Sequence, residues 1–380
     1  MMSRQKSVGP LSLQSGLTLV ELMIALLLSM LLMAGTIQLF AGSKRTYLTS
    51  DAMARVQENG RYILELLARD LRQAGYTGCV DDAPVANVLI GGGTSWQFDI
   101  GRPVFGYDGS YTGSDPSLVM PTEFDGSGSA SGTLEDSDAV AVLFGDAPSG
   151  LTVASHNPPS AEFKVNESHD IQSGEILLVT DCSKSALFQV TNANASNKTI
   201  AHNEGAGTPG NCTKYLGKTA TNSCMPDPGE PYSFANGGFI LKLRARSYFI
   251  AETSRIDSSG NAIPALYRVS VGDSGVLTTP EELVEGIEDM QILYGVDNDA
   301  IDGAPGFGSA NKFLRADEVS SAGLWSRVVA IRIELSLRSL ANNATQEATT
   351  YTYGNGHVAV TDNRLRARFA MTVALRNRTP

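Results

Sequence analysis

Three groups of residues in the chain could carry chemistry. The first is a lone carboxylate: between Leu17 and Phe40 the strongly polar side chains are Glu21 and Gln38 only, with Thr18, Ser29 and Thr36 mildly polar. An ionised acid in hydrocarbon costs a few kcal/mol, so Glu21 either stays near an interface by snorkelling or meets a cation. The second group is Asp297-Asn298-Asp299-Ala300-Ile301-Asp302-Gly303, where Asp297, Asp299 and Asp302 gather oxygen ligands beside a glycine, as calcium loops do. Its spacing departs from the D-x-D-x-D-G pattern and no glutamate stands at the twelfth position, so the competing reading is an acidic turn after a strand. The third group is the cysteines Cys79, Cys182, Cys212 and Cys224. None forms a C-x-x-C pair, and His156, His169, His202 and His357 lie far from metal-ligand spacing, which argues against zinc. In an exported chain four cysteines suggest two disulfides. Cys212 and Cys224 enclose a Gly/Asn/Thr-rich loop and form the natural local pair, which leaves Cys79 with Cys182, although four cysteines allow three pairings.

Catalytic constellations are missing from the sequence. There is no nucleophile elbow, Walker loop or H-E-x-x-H, and Gly91-Gly92-Gly93 reads as a turn. The expectation is that the protein is not an enzyme. A formal charge of −11 over 380 residues argues against a general nucleic-acid binder, because phosphate neutralisation needs a basic field.

The elements that must position these residues begin with a helix. Arg4 and Lys6 head the chain with no acid before Gly16. Leu17 to Phe40 as a helix spans about 36 Å, enough for a bilayer core with some tilt. No proline occurs between Pro10 and Pro84. After Gly42, Met53, Val56, Ile63, Leu67 and Ala74 recur at helical spacing, widened by Leu66 and Leu71, while the charged residues fall largely on the other face. Gly75 suits the position just past a helix end. A continuous helix to Ala74 would be roughly 87 Å long, with Gly35, Gly42 and Gly60 as points where it could bend.

From Tyr76 the pattern turns to β: short apolar runs separated by Gly, Asn, Asp, Ser and Pro. Candidate strands are 85–90, 96–100, 139–144, 175–180 and 186–191, with a Gly/Ser/Asp-rich, mobile surface insertion between Gly106 and Asp138. Three later stretches, 241–246, 329–338 and 365–376, alternate strictly, with Leu, Ile, Val, Ala, Phe and Met on one face and Arg, Lys, Glu, Ser and Thr on the other. Period two with one apolar face means an antiparallel sheet covered on one side, and the long helix is the obvious cover. The basic face lacks interleaved aromatics for base stacking, so a solvated or partner-facing sheet is expected in place of a nucleic-acid platform. Thr279-Pro280-Glu281-Glu282 has the cap, the N1 proline and the N3 glutamate of a short helix start.

Gly16-Leu17-Thr18-Leu19-Val20-Glu21 resembles the class III signal of type IV prepilins, with Leu17 where the family usually has Phe. Residues 59–79, with Arg61, Arg69-Asp70-Leu71-Arg72, Ala74-Gly75-Tyr76 and Gly78-Cys79, are similar to PilW-type minor pilins, as are the stretch 284–297 and Ala374-Leu375-Arg376-Asn377-Arg378. The resemblance implies an α+β, pilin-like fold: a leader at 1–16, a long helix at 17–75 (transmembrane over 17–40, amphipathic over 43–75) and an exported β-rich domain at 76–380 on a mainly antiparallel sheet. It implies cleavage after Gly16 by a prepilin peptidase, N-methylation of Leu17, and a contact of Glu21 with the amine of a neighbouring subunit. The implied partners are other minor pilins, the major pilin and a tip adhesin. The implied place is the bacterial inner membrane with the domain in the periplasm, then the pilus. The implied work is initiating or capping a pilus that serves motility, adhesion or DNA uptake. The alternatives are a type II secretion pseudopilin and a membrane-tethered adhesin or enzyme.

Overall fold

The computed structural model describes residues 18–79, 84–92, 95–113, 119–124, 134, 136–147, 150–205, 207–217, 229–235, 237–257, 259–299, 308–345, 347–352 and 359–378. The chain opens on α1 (Leu19–Gln73), followed by β1 (Val85–Asn87), β2 (Val104–Tyr107), β3 (Ala139–Asp146), β4 (Val153–Asn157), β5 (Glu162–Val165), β6 (Ile176–Thr180), β7 (Ser185–Gln189), β8 (Asn192–Asn194) and β9 (Thr199–Ala201). Then come β10 (Phe239–Ile256), β11 (Ala262–Ser270), β12 (Glu281–Glu285), β13 (Ile287–Val296), β14 (Lys312–Leu314), the short α2 (Ala316–Ser321), β15 (Val328–Arg338), β16 (Thr349–Thr352), β17 (Ala359–Asp362) and β18 (Arg366–Ala374). The class is α+β.

Contacts divide the chain into two compact units, one up to Asp51 and one from Ala52 on. In the first, α1 exposes its apolar side chains from Leu19 to Phe40. No proline interrupts the helix, and it runs through Gly35, Gly42 and Gly60 within one set of bounds.

In the second unit α1 buries Val56, Gly60, Ile63, Leu67, Ala68 and Leu71. These positions recur every three or four residues and so share one face of the helix. They join one core with Leu335 and Leu337 of β15, Val373 of β18, and apolar residues of β2, β3, β10, β11 and β13. Fully burying Ile63, Leu67 and Leu71 contributes about 1.5–3 kcal/mol each. Gly60 lets the helix approach β18 closely, since a Cβ there would stand 2.6 Å from the Phe369 ring. Gly75, at φ +78°, turns the chain out of the helix, and its N–H donates to the Leu143 carbonyl at 2.9 Å.

The sheet under this stripe has the order β14-β13-β15-β18 and is antiparallel throughout, with Ile331 opposite Val373 and Leu335 opposite Phe369. A second sheet runs β1-β7-β6-β10-β11-β12, with β3 also paired to β10 and β2 to β3; β1 with β7 is its parallel pair. The long β10 serves several partners in turn, β6 at its start, β3 in the middle and β11 toward its end. A third sheet, β4-β5-β9-β8, closes over a core of its own around Phe163, Phe188 and Phe234.

Four expectations are corrected. Residues 96–98 form a 3-10 turn instead of a strand. Glu281–Glu285 is strand β12 and not a helix: backbone pairing to β11, with Arg268 on Glu281 at 2.6 Å and Arg255 on Glu282 and Glu285, outweighs the local cap signal. The insertion after Gly106 is anchored: Tyr107 and Phe124 are buried, and the Asp138 carboxylate accepts from the backbone N–H groups of Gly109 (3.0 Å) and Ile292 (2.7 Å). Its Asp125-to-Ser129 stretch lies outside the described residues. Finally, much of the basic face is neutralised internally. Arg366 grips Glu288 with two hydrogen bonds, Arg338 shares that carboxylate at 3.0 Å, and Arg368 pairs with Glu334 at 3.3 Å.

Candidate functional site

Glu21 sits in the first turn of α1, and Thr18 is the residue before the helix. The Thr18 carbonyl accepts the helix's opening bond from Leu22 N–H at 3.1 Å. Thr18 Oγ1 accepts from Glu21 N–H at 3.2 Å, while a Glu21 carboxylate oxygen accepts from Thr18 N–H at 3.4 Å and from its hydroxyl at 3.3 Å. This is a reciprocal capping box, Ser/Thr-x-x-Glu, which satisfies amide donors that a helix start leaves without partners. Thr18-x-x-Glu21 carries the sequence signature of that box within a membrane-length apolar run. Gly16 and Leu17 lie outside the described residues. The helix is long and apolar enough to cross a membrane, and its most apolar stretch is unburied.

A second polar centre fixes the other end of α1. Asp70 is 1% exposed, amid Leu67, Ala68 and Leu71. Its carboxylate accepts from Arg246 Nη1 of β10 at 2.6 Å and from the Tyr248 hydroxyl two residues on; Arg69 stands 3.6 Å away. Burial, and then the Asp70 charge, push the Tyr248 phenol well above its ordinary pKa, so Tyr248 remains a donor. In sequence, Asp70 belongs to the 59–79 motif and Arg246 to the face expected to be solvated or partner-facing. An acid one position before Leu71, against an apolar helix stripe, was the available clue.

Just beyond the helix, a disulfide joins Cys79 to Cys182, across 103 residues, and fastens the chain to the β6–β7 turn. Cys212 is also disulfide-bonded, and Cys224 lies outside the described residues. The proposed calcium ligands fall elsewhere: Asp297 accepts from the backbone N–H of Asp299 (3.0 Å) and Gly308 (2.6 Å), and Asp299 accepts from Asn311 (3.2 Å), while Asp302 lies outside the described residues. Asp297 and Asp299 thus organise a turn. Among the described residues no cluster of three or more His, Cys, Asp or Glu has metal-site geometry.

Two histidines that sequence spacing kept apart do meet. His156 and His202 face each other, Nε2 to Nε2 at 3.2 Å, against the rings of Phe163, Phe188 and Phe234. Phe234 N–H donates to His156 Nδ1 at 3.3 Å, so His156 carries its proton on Nε2 and donates to His202. The His202 proton is then on Nδ1, which is buried without a partner. Burial lowers the His156 pKa to about 4, and burial with the neighbouring ring lowers His202 to about 3. The unfolded chain binds both protons near pH 6.5, the folded chain only far below. Stability is therefore whole above about pH 6.5 and is lost as pH falls toward 4 and 3. We expect urea unfolding to show a loss on the order of a few kcal/mol between pH 7.5 and pH 4.5. A His156→Phe/His202→Phe variant should lose most of that slope; an unchanged slope would clear the pair of responsibility.

The chain matches two family patterns. Residues 11–37 match the prokaryotic N-terminal methylation motif, and residues 247–377 match Type IV Pilus-assembly protein W. The second match runs from β10 past β18 and takes in the whole sheet beneath the α1 stripe. A type IV-like pilin from Thermus thermophilus is similar in structure at 16% identity, covering 36% of this chain and 80% of that one with a TM-score of 0.19; at that score the likeness carries no part of the identification. No curated protein matches the chain. The methylation motif lies on a helix long and apolar enough to cross a membrane. On one chain, the two matches make the protein similar to PilW-type minor pilins over residues 247–377 and to methylated prepilins at its N-terminal helix.

Proposed function

We propose that the protein is processed and built into a type IV pilus as one of its minor subunits, in the complex that initiates or caps the fibre. The observation that carries the reading is the Gly16-to-Glu21 signal, inside the methylation match, at the head of a helix whose apolar side chains are exposed from Leu19 to Phe40. Those side chains need lipid before assembly and the helices of neighbouring pilins after it. Prepilin peptidase would cut after Gly16 and the new Leu17 amine would be methylated. The domain would then stand outside the inner membrane, facing other minor pilins and a tip protein. Motility, adhesion or DNA uptake would follow from the pilus and not from catalysis, in keeping with the structural role of pilin-family proteins.

Mass spectrometry of the N-terminus tests this reading. The expected product begins at a methylated Leu17; an intact Met1, or cleavage after Gly35, would sink it. Complementation then separates the systems, since the gene should restore pili to a pilus-negative strain and leave a type II secretion-negative strain unrescued.

A further inference from the structure

A cavity of about 300 Å³ opens beside the 3-10 turn Trp96–Phe98, walled by Trp96, Phe105 and Tyr107. That volume lies at the lower end of the range for small-molecule sites. Trp96 meets Phe124 edge to face at 5.8 Å, and Phe105 and Tyr107 are both buried, so the aromatic wall is held from behind. The Trp96 side chain is half-buried, with its indole N–H turned away from solvent.

The polar groups select the ligand. Arg102 bonds Asp99 through Nε at 2.6 Å and lies 4.8 Å over the Phe105 ring, so a cation already occupies that face and its charge is balanced. Glu123, at the rim, and Asp99 disfavour an anion, while Arg102 disfavours a second cation. The neutral, hydroxyl-rich class remains: an apolar ring face for Trp96, with hydroxyls for Gln97, Glu123 and Asp99. We infer that this cavity is a saccharide-binding site that takes one pyranose ring. The inference holds whether or not the chain enters a pilus.

The chain has two tryptophans, and the second, Trp325, is buried with its N–H on Ser320 Oγ at 2.8 Å and packs on Phe105 at 4.7 Å behind the cavity wall, so it reports any rearrangement of that wall. The full chain would be labelled with 5-fluorotryptophan in detergent micelles, with the signal lost in Trp96→Phe assigned to Trp96. Titration with methyl β-D-galactopyranoside or N-acetyl-D-glucosamine should shift the Trp96 fluorine signal saturably and leave that of Trp325 in place. The two probes distinguish plain from acetamido sugars, and saturation by either supports the site. Gln97→Ala and Glu123→Ala, both on accessible side chains, should each weaken the response about three- to tenfold with the Trp325 signal unchanged. A Trp96 signal that ignores both sugars overturns the inference. So does one that moves only with choline chloride or sodium acetate, or affinities unaltered in both variants.

Discussion

Asp70→Ala should destabilise the globular part of the protein by about 3 kcal/mol or more. The side chain is small and its removal leaves little void, so the effect does not come from packing. It comes from what is left behind. Tyr248 is 1% exposed and would lose the acceptor of its hydroxyl, at a cost of about 1–3 kcal/mol. Arg246, whose side chain is 23% exposed, would lose its counter-charge in the same step. Asp70→Asn keeps one acceptor oxygen and the shape, and should cost less than the alanine. Urea unfolding of the full chain in detergent, followed by tryptophan fluorescence, measures both. The decisive comparison is the cycle with Tyr248→Phe: partners in one network should couple by about 1–3 kcal/mol. Additive effects, or an alanine variant within about 0.5 kcal/mol of the parent, would mean that the apolar stripe alone seats the helix.

The stripe could be read from sequence because a helix repeats its buried positions in near neighbours: Val56, Ile63, Leu67 and Leu71 announce one face without reference to the rest of the fold. The period-two runs of β10, β15 and β18 were legible for the same reason. What failed were features decided by distant partners. Asp70 and Arg246 stand 176 residues apart, and nothing near either one names the other. Glu288 gathers Arg338 and Arg366 from two other strands, which turned an apparently solvated basic face into an internal charge balance. At Thr279-Pro280-Glu281 the local rules did favour a helix start, and the hydrogen bonds offered by the edge of β11 overruled them. Asp297 accepts from the Asp299 and Gly308 amides, and Gly308 is a partner that local spacing does not name. The functional signal at the head of the chain was legible because it is contiguous, yet its second half, the cap made with Thr18, went unread.

That cap gives the last prediction its form, because Glu21 now has two separable tasks. As the third residue of α1 it completes the capping box with Thr18. As the charged group of an apolar segment it would neutralise the methylated amine of a neighbouring subunit, and a paired acid in that setting fixes register as well as charge. Glu21→Gln keeps an acceptor oxygen for Thr18 N–H and removes the charge. Glu21→Ala removes both, and loss of the cap costs about 1 kcal/mol. A 55-residue helix with a membrane-length apolar run survives that loss, so both variants should insert into the membrane. If charge pairing drives assembly, the glutamine variant should already be as defective in piliation as the alanine variant, while processing after Gly16 continues. If the cap is what matters, glutamine should assemble nearly as well as the parent and alanine should not. Piliation counted by electron microscopy, beside membrane fractionation, separates the outcomes. We expect the first pattern, since an intrahelical cap is available to any helix start, and a carboxylate in hydrocarbon is tolerated for what it meets there.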